Sequence, residues 1–329
     1  MRFFKSEAGA IVLWLFAALF TAALLTPHLY DAGKTLAAGA QTHDYSAVIE
    51  SIAGSAGRAN LDRYFSRCLL LSALALLPVL IWRVKRIPTV EERKHFALRK
   101  QTWAVRLSHL ASGLLIGSFA LGTLALILNF TGASGSKDEA FSFGRIFSKA
   151  LLPALGAGVI EEIVFRGLLL GLWLRACSLW TAWLGSAAMF SFVHFLKPPA
   201  GVTIADPRSW SSGFEILGST LNHFTDPTFF VTEFATLALL GLILAYARTR
   251  THSLWFPIGL HAGLVFALKV FSMTQNLNPQ SPLHPWWIGS DLKSGILPLI
   301  ALLFCFLLSA ACISILKRKF DKTPNPSQP

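Results

Sequence analysis

Three ionisable residues, Glu161, Glu162 and Arg166, lie inside the continuous apolar stretch Ala150–Trp173. A stretch this long and this apolar predicts a membrane-spanning helix. An ionisable side chain at the centre of such a helix costs roughly 2.5–3.5 kcal/mol on insertion scales. Side chains kept at that cost usually face a bundle interior or a water-filled cavity, where they serve chemistry or transport. The sequence therefore predicts a polar functional site within the membrane.

The spacing of these three residues suggests a division of labour. Glu162 and Arg166 are four residues apart in the favoured acid-first order, which predicts an ion pair on one helix face. Glu161 points about 100° away from Glu162, so we expect an unpaired carboxylate that faces a cavity. Such a carboxylate can serve as a general base. Its stripe of the helix holds only residues that cannot neutralise it: Ala157, Gly158 and Phe165.

Two histidines occur in two other apolar stretches. His194 follows Phe190 by one helical turn, and His261 follows Pro257, which lacks a backbone donor and can kink a helix. A lone buried histidine is more often a hydrogen-bonded structural residue than a catalyst. The cost of polar groups in lipid favours function for the set Glu161, His194 and His261. Nothing in the spacing shows that the three converge.

Composition excludes several classes of protein. Of the 329 residues 53% are hydrophobic and only 14% are charged, against about 25% in soluble domains. The net charge of +12 comes largely from basic residues at the ends of apolar stretches, where membrane proteins carry them. We therefore expect membrane lipid and no nucleic acid as partner. The cysteines lack disulfide or zinc-finger spacing: Cys68, Cys177, Cys305 and Cys312.

Eight apolar stretches predict an all-α, polytopic transmembrane bundle of about eight helices. The spans are Ala8–Leu25, Tyr64–Trp82, Leu107–Phe130, Ala150–Trp173, Leu179–Leu196, Phe229–Ala247, Leu254–Phe271 and Gly295–Ile315. The first is longer than a usual signal-peptide core, which favours a retained helix over a cleaved leader. Eight Lys and Arg residues in 83–106 place both termini in the cytoplasm.

The polar motifs resemble those of the CPBP (CAAX protease and bacteriocin-processing, or Abi) family of intramembrane proteases, which includes the type II CAAX prenyl proteases. The family motif EExxxR matches Glu161 to Arg166, FxxxH matches Phe190 to His194, and a helix that follows Ser253-Leu254-Trp255 supplies His261. The resemblance covers a CAAX prenyl protease 2-like core (150–271). Hydropathy and composition predict N-terminal helices with a basic cytoplasmic loop (1–149) before it, and a loop, last helix and disordered tail (272–329) after it.

The resemblance also implies a mechanism. Glu161 with His194 would activate water for attack on a peptide carbonyl, His261 would stabilise the oxyanion, and Glu162, Arg166 and Phe190 would support them. No cofactor is then needed. In an alternative reading Glu161, His194 and His261 bind zinc, a ligand set that suits this metal. Peptides or lipidated proteins in a bacterial inner membrane are the expected substrates.

One position departs from the family pattern. Many members carry Asn or Asp four residues after the last histidine, where this chain has Val265. Valine has no hydrogen-bonding group, so another group, such as Asn222 or His223, would have to fill that role, or the site is weakened. A non-catalytic alternative therefore stays open: a membrane immunity or scaffold protein, or a small-solute carrier, that uses the same Glu/His cluster.

Overall fold

The structure is a computed structural model that describes residues 6–86, 97–137, 142–196, 198, 202–225 and 233–321. The described chain is helical almost throughout, as predicted. In chain order its elements are α1 (Glu7–Gly39), α2 (Ala47–Arg58), α3 (Leu61–Lys85), α4 (Trp103–Phe130), β1 (Ser134–Ser136), α5 (Phe143–Ile146), π1 (Phe147–Leu151), α6 (Leu152–Glu162), π2 (Ile163–Leu169), α7 (Leu170–Ala176), α8 (Leu179–His194), α9 (Ser212–Asn222), a 3₁₀ turn (His223–Thr225), α10 (Ala235–Thr251), α11 (Trp255–Thr274), β2 (Gln275–Leu277) and α12 (Ile296–Asp321).

Helices lie at all eight positions where a span was predicted. Within the described residues five of them are long and apolar enough to cross a membrane, namely α1, α3, α4, α11 and α12. The other three predicted spans correspond to the run from α5 to α7, to α8 and to α10. Residues 229–232 of the sixth predicted span and residues 322–329 of the predicted disordered tail lie outside the described part of the chain. The protein is an integral membrane helix bundle.

Two expectations about helix length and continuity were wrong. Helix α1 continues to Gly39, although its predicted span ended at Leu25, because Pro27 is tolerated inside it. The predicted single helix Ala150–Trp173 belongs to a longer helical run that two π segments interrupt. The connection 197–228 also contains α9, which we did not predict.

The chain divides into two compact units. The first comprises Met1–Thr89 and Phe192–Pro227, and the second comprises Val90–Ser191 and Thr228–Pro329. In the first unit α1 packs against α2, α3 and α9. The chain comes so close at Gly213 that a Cβ there would collide with the Ala23 carbonyl of α1. A small apolar core holds these helices together: Ala22, Ala23, Leu61, Phe65, Cys68 and Ile216.

In the second unit four glycines bring α4 and α11 into backbone contact. A Cβ at Gly113 or Gly117 of α4 would collide with carbonyls of α11, and a Cβ at Gly259 or Gly263 would collide with carbonyls of α4. Small residues four positions apart allow close helix packing in membranes, and the pairs Gly113/Gly117 and Gly167/Gly171 have this spacing in the sequence. The contact confirms for Gly113 and Gly117 what the spacing predicts. Helix α11 is thereby held rigidly along α4.

The same expectation fails for the pair Gly167 and Gly171. An added Cβ at Gly167 would make ordinary contact with Leu254, and at Gly171 it would meet open space. The close approach on this helical run occurs instead at Gly158 of α6, which faces the Ile258 carbonyl and Ala262 of α11. This contact sets the α6 backbone next to the helix that carries His261.

A two-stranded antiparallel sheet joins the far ends of the α4–α11 pair. Strand β1 follows α4, strand β2 follows α11, and Ser134 pairs with Leu277. The sheet therefore ties the two helices at the end opposite to Trp103 and Trp255, where they respectively begin.

Candidate active site

The EExxxR motif lies where an α-helix changes into a π-helix. Helix α6 ends at Glu162, and Arg166 falls within the π segment Ile163–Leu169. A π turn adds a residue to the turn and re-aims the side chains that follow it, and such turns occur frequently at functional sites. Both acidic residues thus lie at a break in the regular α-helix. From the sequence we expected 3.6 residues per turn throughout, so this break was not predicted.

The Glu162 carboxylate is the centre of the cluster. It is completely buried, and its Oε1 accepts hydrogen bonds from Arg166 Nη1 at 3.0 Å and from His261 Nδ1 at 2.8 Å. The predicted ion pair with Arg166 is therefore present. The contact with His261 was not predicted, because it joins α6 to α11 across 99 residues.

The bond to Glu162 fixes the hydrogen on the His261 ring. A carboxylate can only accept, so Nδ1 must donate, and Nε2 is left to face the second carboxylate. His261 is 3% exposed. The buried ring thus presents its Nε2 to Glu161.

Glu161 is not the unpaired carboxylate that we expected. Its Oε2 lies 3.8 Å from His261 Nε2, within ion-pair range but longer than a direct hydrogen bond. Its side chain is 30% exposed, whereas those of Glu162 and His261 are almost fully enclosed. A water about 2.8 Å from both atoms would bridge them with ordinary hydrogen-bond lengths. Glu161 is accordingly the more exposed carboxylate of the pair, although its Oε2, which faces His261, is buried.

Aromatic rings hold the charged groups in place. The Arg166 guanidinium lies 4.2 Å from the centre of the Phe190 ring, and its Nη2 donates to the Gly241 carbonyl at 3.4 Å. The Phe190 ring meets the His261 ring edge-to-face at 6.0 Å and is itself fully buried. Since a cation over an aromatic face is stabilised when desolvated, Phe190 positions both Arg166 and His261.

The structure thus brings five of the six predicted site residues together in the second unit. They are Glu161, Glu162, Arg166, Phe190 and His261. The sixth, His194, is the last residue of α8 and belongs to the first unit, where it is half-buried. Its role with Glu161 stays a prediction.

The zinc alternative requires three side chains around one point. Two of its proposed ligands, Glu161 and His261, do face each other. However, Nδ1 of His261 is already occupied by Glu162, so only Nε2 remains for a metal. Among the described residues, no group of three His, Cys, Asp or Glu side chains has metal-binding spacing. Both the zinc site and the cofactor-free site remain predictions.

Val265 lies one turn beyond His261 on α11 and is half-buried. Of its proposed substitutes, Asn222 ends α9 and His223 begins the 3₁₀ turn, both in the first unit. Whether either replaces the missing Asn or Asp is untested.

Residues 143–267 match the family model of Rce1-like proteins, described as type II CAAX prenyl endopeptidases. The matched segment contains all of the predicted site residues, and it agrees with the family recognised from the sequence motifs. No significant match was found among curated proteins or among solved structures.

Proposed function

We propose, on the premise that residues 143–267 form an Rce1-like domain of the CAAX protease family, that this membrane protein is an endopeptidase. It hydrolyses a peptide bond in membrane-associated substrates by means of a water activated by Glu161. The observation that carries the proposal is the 3.8 Å distance between Glu161 Oε2 and His261 Nε2, because it sets a carboxylate and an imidazole nitrogen facing each other within ion-pair range.

In the proposed reaction Glu161 removes a proton from the bound water, and the resulting hydroxide attacks the carbonyl carbon of the scissile bond. His261 Nε2–H donates to the oxygen that becomes negative, which is the usual way of stabilising a tetrahedral intermediate. The proton held by Glu161 then passes to the leaving nitrogen, the C–N bond breaks, and an acid and an amine result.

Glu162 and Arg166 act as positioning residues in this scheme. Glu162 accepts from His261 Nδ1–H and so orients the ring with Nε2 towards the substrate oxygen, much as a buried carboxylate orients a catalytic imidazole in other hydrolases. Donation from Nε2 in this scheme requires a second hydrogen on the ring. Arg166 balances the negative charge of Glu162. Its contacts with the Phe190 ring and the Gly241 carbonyl hold the guanidinium in position. The family motif EExxxR thereby contains one reacting and one orienting carboxylate.

The substrates proposed are CAAX-type C-termini, prenylated or not, and leader or sorting peptides close to the membrane. The distribution of Lys and Arg supports a protein with both termini in the cytoplasm of a bacterial inner membrane. No zinc is required in this proposal, since His261 is used as a hydrogen-bond donor.

The test is proteolysis by the full chain reconstituted in liposomes, with a pool of tagged prenylated and unprenylated membrane peptides. Glu161→Gln should lower turnover by about 10²–10⁴-fold, the usual worth of a general base. Glu50→Gln, which changes an exposed carboxylate on α2, is the matched control. Each protein is assayed with and without a zinc chelator.

Three results would overturn the proposal. Full turnover by Glu161→Gln would remove Glu161 from the reaction. Loss of wild-type activity with the chelator, restored by zinc, would favour the metal alternative. No cleavage of any peptide by the wild type would favour the non-catalytic scaffold, immunity or carrier function.

A further inference from the structure

A second polar cavity lies in the same unit, where α4 begins and α10 and α12 end. Its volume is about 400 Å³. The residues that line it are Arg99, Lys100, Gln101, Thr102, Val105, His109, Arg250, Thr251, His252, Ile313, Leu316 and Lys317. None of them belongs to the Glu161–His261 cluster.

The charge of this cavity has one sign. Four lysine and arginine side chains line it, and its lining contains no Asp or Glu. Within the described residues no carboxylate forms an ion pair with Arg99, Lys100, Arg250 or Lys317. The first turn of α4 adds the positive end of a helix. Cations gathered without counter-charges repel one another, and a bound anion would relieve that repulsion.

Buried polar atoms of the lining also lack partners. The His109 side chain is only 6% exposed, and its Nδ1 has no hydrogen bond within the described structure. Gln101 donates through Nε2 to the Thr251 carbonyl at 3.1 Å, but its buried Oε1 has no such bond. Buried polar atoms normally have partners, so these atoms indicate that something polar occupies the cavity. Gln101 Oε1 is an acceptor and requires a donor, such as a hydroxyl of a glycerol headgroup, rather than the phosphate itself.

The position of the cavity identifies the source of the anion. Trp103 and Trp255, in the first turns of α4 and α11, meet edge-to-face at 6.0 Å, and Arg106 lies 4.9 Å from the centre of the Trp103 ring. Tryptophans with adjacent cations are typical of the level of lipid headgroups. Three apolar side chains, Val105, Ile313 and Leu316, continue the lining between α4 and α12. The cavity is therefore amphiphilic.

We propose that this cavity binds the phosphate headgroup of an anionic phospholipid. The phosphate would lie among Arg99, Arg250 and Lys317, and an acyl chain would follow the apolar strip formed by Val105, Ile313 and Leu316. The volume lies within the range of about 300–1,000 Å³ found for small-molecule sites. All four cations belong to segments that the sequence places on the cytoplasmic side, where anionic lipid attracts basic residues.

Helix α11 links this cavity to the candidate active site. The His109 ring meets the Phe256 ring edge-to-face at 6.2 Å, and Phe256 precedes His261 by five residues on α11. A headgroup in the cavity therefore braces the end of the α4–α11 pair that leads to His261.

The test measures lipid binding and needs no catalysis, so Glu161→Gln protein serves as well as wild type. The full chain is placed in nanodiscs of phosphatidylcholine with or without phosphatidylglycerol, and retained lipid is measured by native mass spectrometry during titration. The variant Arg99→Gln/Arg250→Gln/Lys317→Gln removes three lining cations. Lys85→Gln/Arg86→Gln/Arg318→Gln removes two arginines and one lysine that do not line the cavity, and is its matched control.

We expect phosphatidylglycerol to bind wild type and control alike, and to bind the cavity variant roughly 100-fold more weakly, since each cation contributes about 1 kcal/mol. Lys317→Gln alone, at an exposed position, should weaken binding about fivefold by the same reasoning, and it keeps the test valid if the triple variant does not fold. Equal retention by the cavity variant and the control would overturn the proposal. So would glycerol phosphate or inorganic phosphate binding as tightly as the lipid, because the source would then be a free phosphate.

Discussion

His261 Nδ1 donates to Glu162 Oε1 over 2.8 Å, although the two residues are 99 positions apart in the chain. This bond makes Glu162 a shared acceptor, because the same oxygen also accepts from Arg166 at 3.0 Å. The second glutamate of the motif therefore does more than pair with Arg166 on its own helix. It joins the orientation of His261 to a buried ion pair.

Glu162 and Arg166 should contribute to the free energy of unfolding as a coupled pair. Glu162→Gln and Arg166→Met should each destabilise the protein by about 3–5 kcal/mol, because each leaves a buried charge without its partner. The double variant should cost less than the sum of the two by about 0.5–3 kcal/mol. Thermal unfolding in detergent, followed by tryptophan fluorescence, measures all three. Additive losses would mean that the two side chains do not interact energetically.

Val265→Asn should raise the turnover of an active protein. The new amide would stand one turn beyond His261, where it can donate to the same developing oxyanion. One such donor is worth about 10²–10³ in kcat in other hydrolases, and a gain of about tenfold is expected here. Val265→Ala, which removes side-chain volume without adding a donor, is the control. An asparagine variant no faster than the alanine variant would contradict a role for this position.

Gly113→Ala should destabilise the second unit, because the added methyl group would collide with the α11 backbone. Overpacking of this kind costs about 1–3 kcal/mol. Gly122→Ala, on the same helix, is the matched control, since an added Cβ there meets open space. Alanine is the better helix former by about 1 kcal/mol, so this control should be neutral or stabilising. Equal unfolding temperatures for the two variants would contradict the packing of α4 on α11.

Protonation of His252 should lower stability in mild acid. Burial, followed by the nearby charge of Arg99 and those of Arg248 and Lys317, lowers the pKa of its imidazole from the usual 6.5, although a hydrogen bond with Ala97 acts in the opposite sense. The unfolded chain then binds the proton more readily. The contribution of the neutral His252 to the free energy of unfolding is therefore complete above about pH 6.5. It is lost as the pH falls towards the lower pKa of the folded state.

The variant His252→Asn tests this expectation. His252 has a left-handed backbone conformation with φ of 51°, which asparagine tolerates well. The fall in unfolding temperature between about pH 8 and pH 5 should be smaller in this variant than in wild type. His43→Asn, at an exposed position in the first unit, is the control and should leave the fall unchanged. If His252→Asn leaves the fall in unfolding temperature with pH unchanged, His252 is not the group responsible for that fall.

The sequence alone was sufficient for the positions of the eight predicted spans and for the ion pair. Apolar length identified all eight helical positions, because the membrane imposes that length on each span. The spacing of Glu162 and Arg166 predicted their contact, since residues four apart meet on one helix. The spacing of Gly113 and Gly117 likewise predicted a close helix contact, but it did not identify Gly259 and Gly263 as the partners.

Only the tertiary structure decided how the site is assembled. No local period indicates that α6 meets α11 at Gly158, that a π segment follows Glu162, or that His261 binds Glu162 while facing Glu161. Helical periodicity describes the faces of one helix and carries no information about which other helix each face meets. The basic cavity has the same origin: its cations come from three distant segments, and they line one cavity only because α4, α10 and α12 bring their ends together.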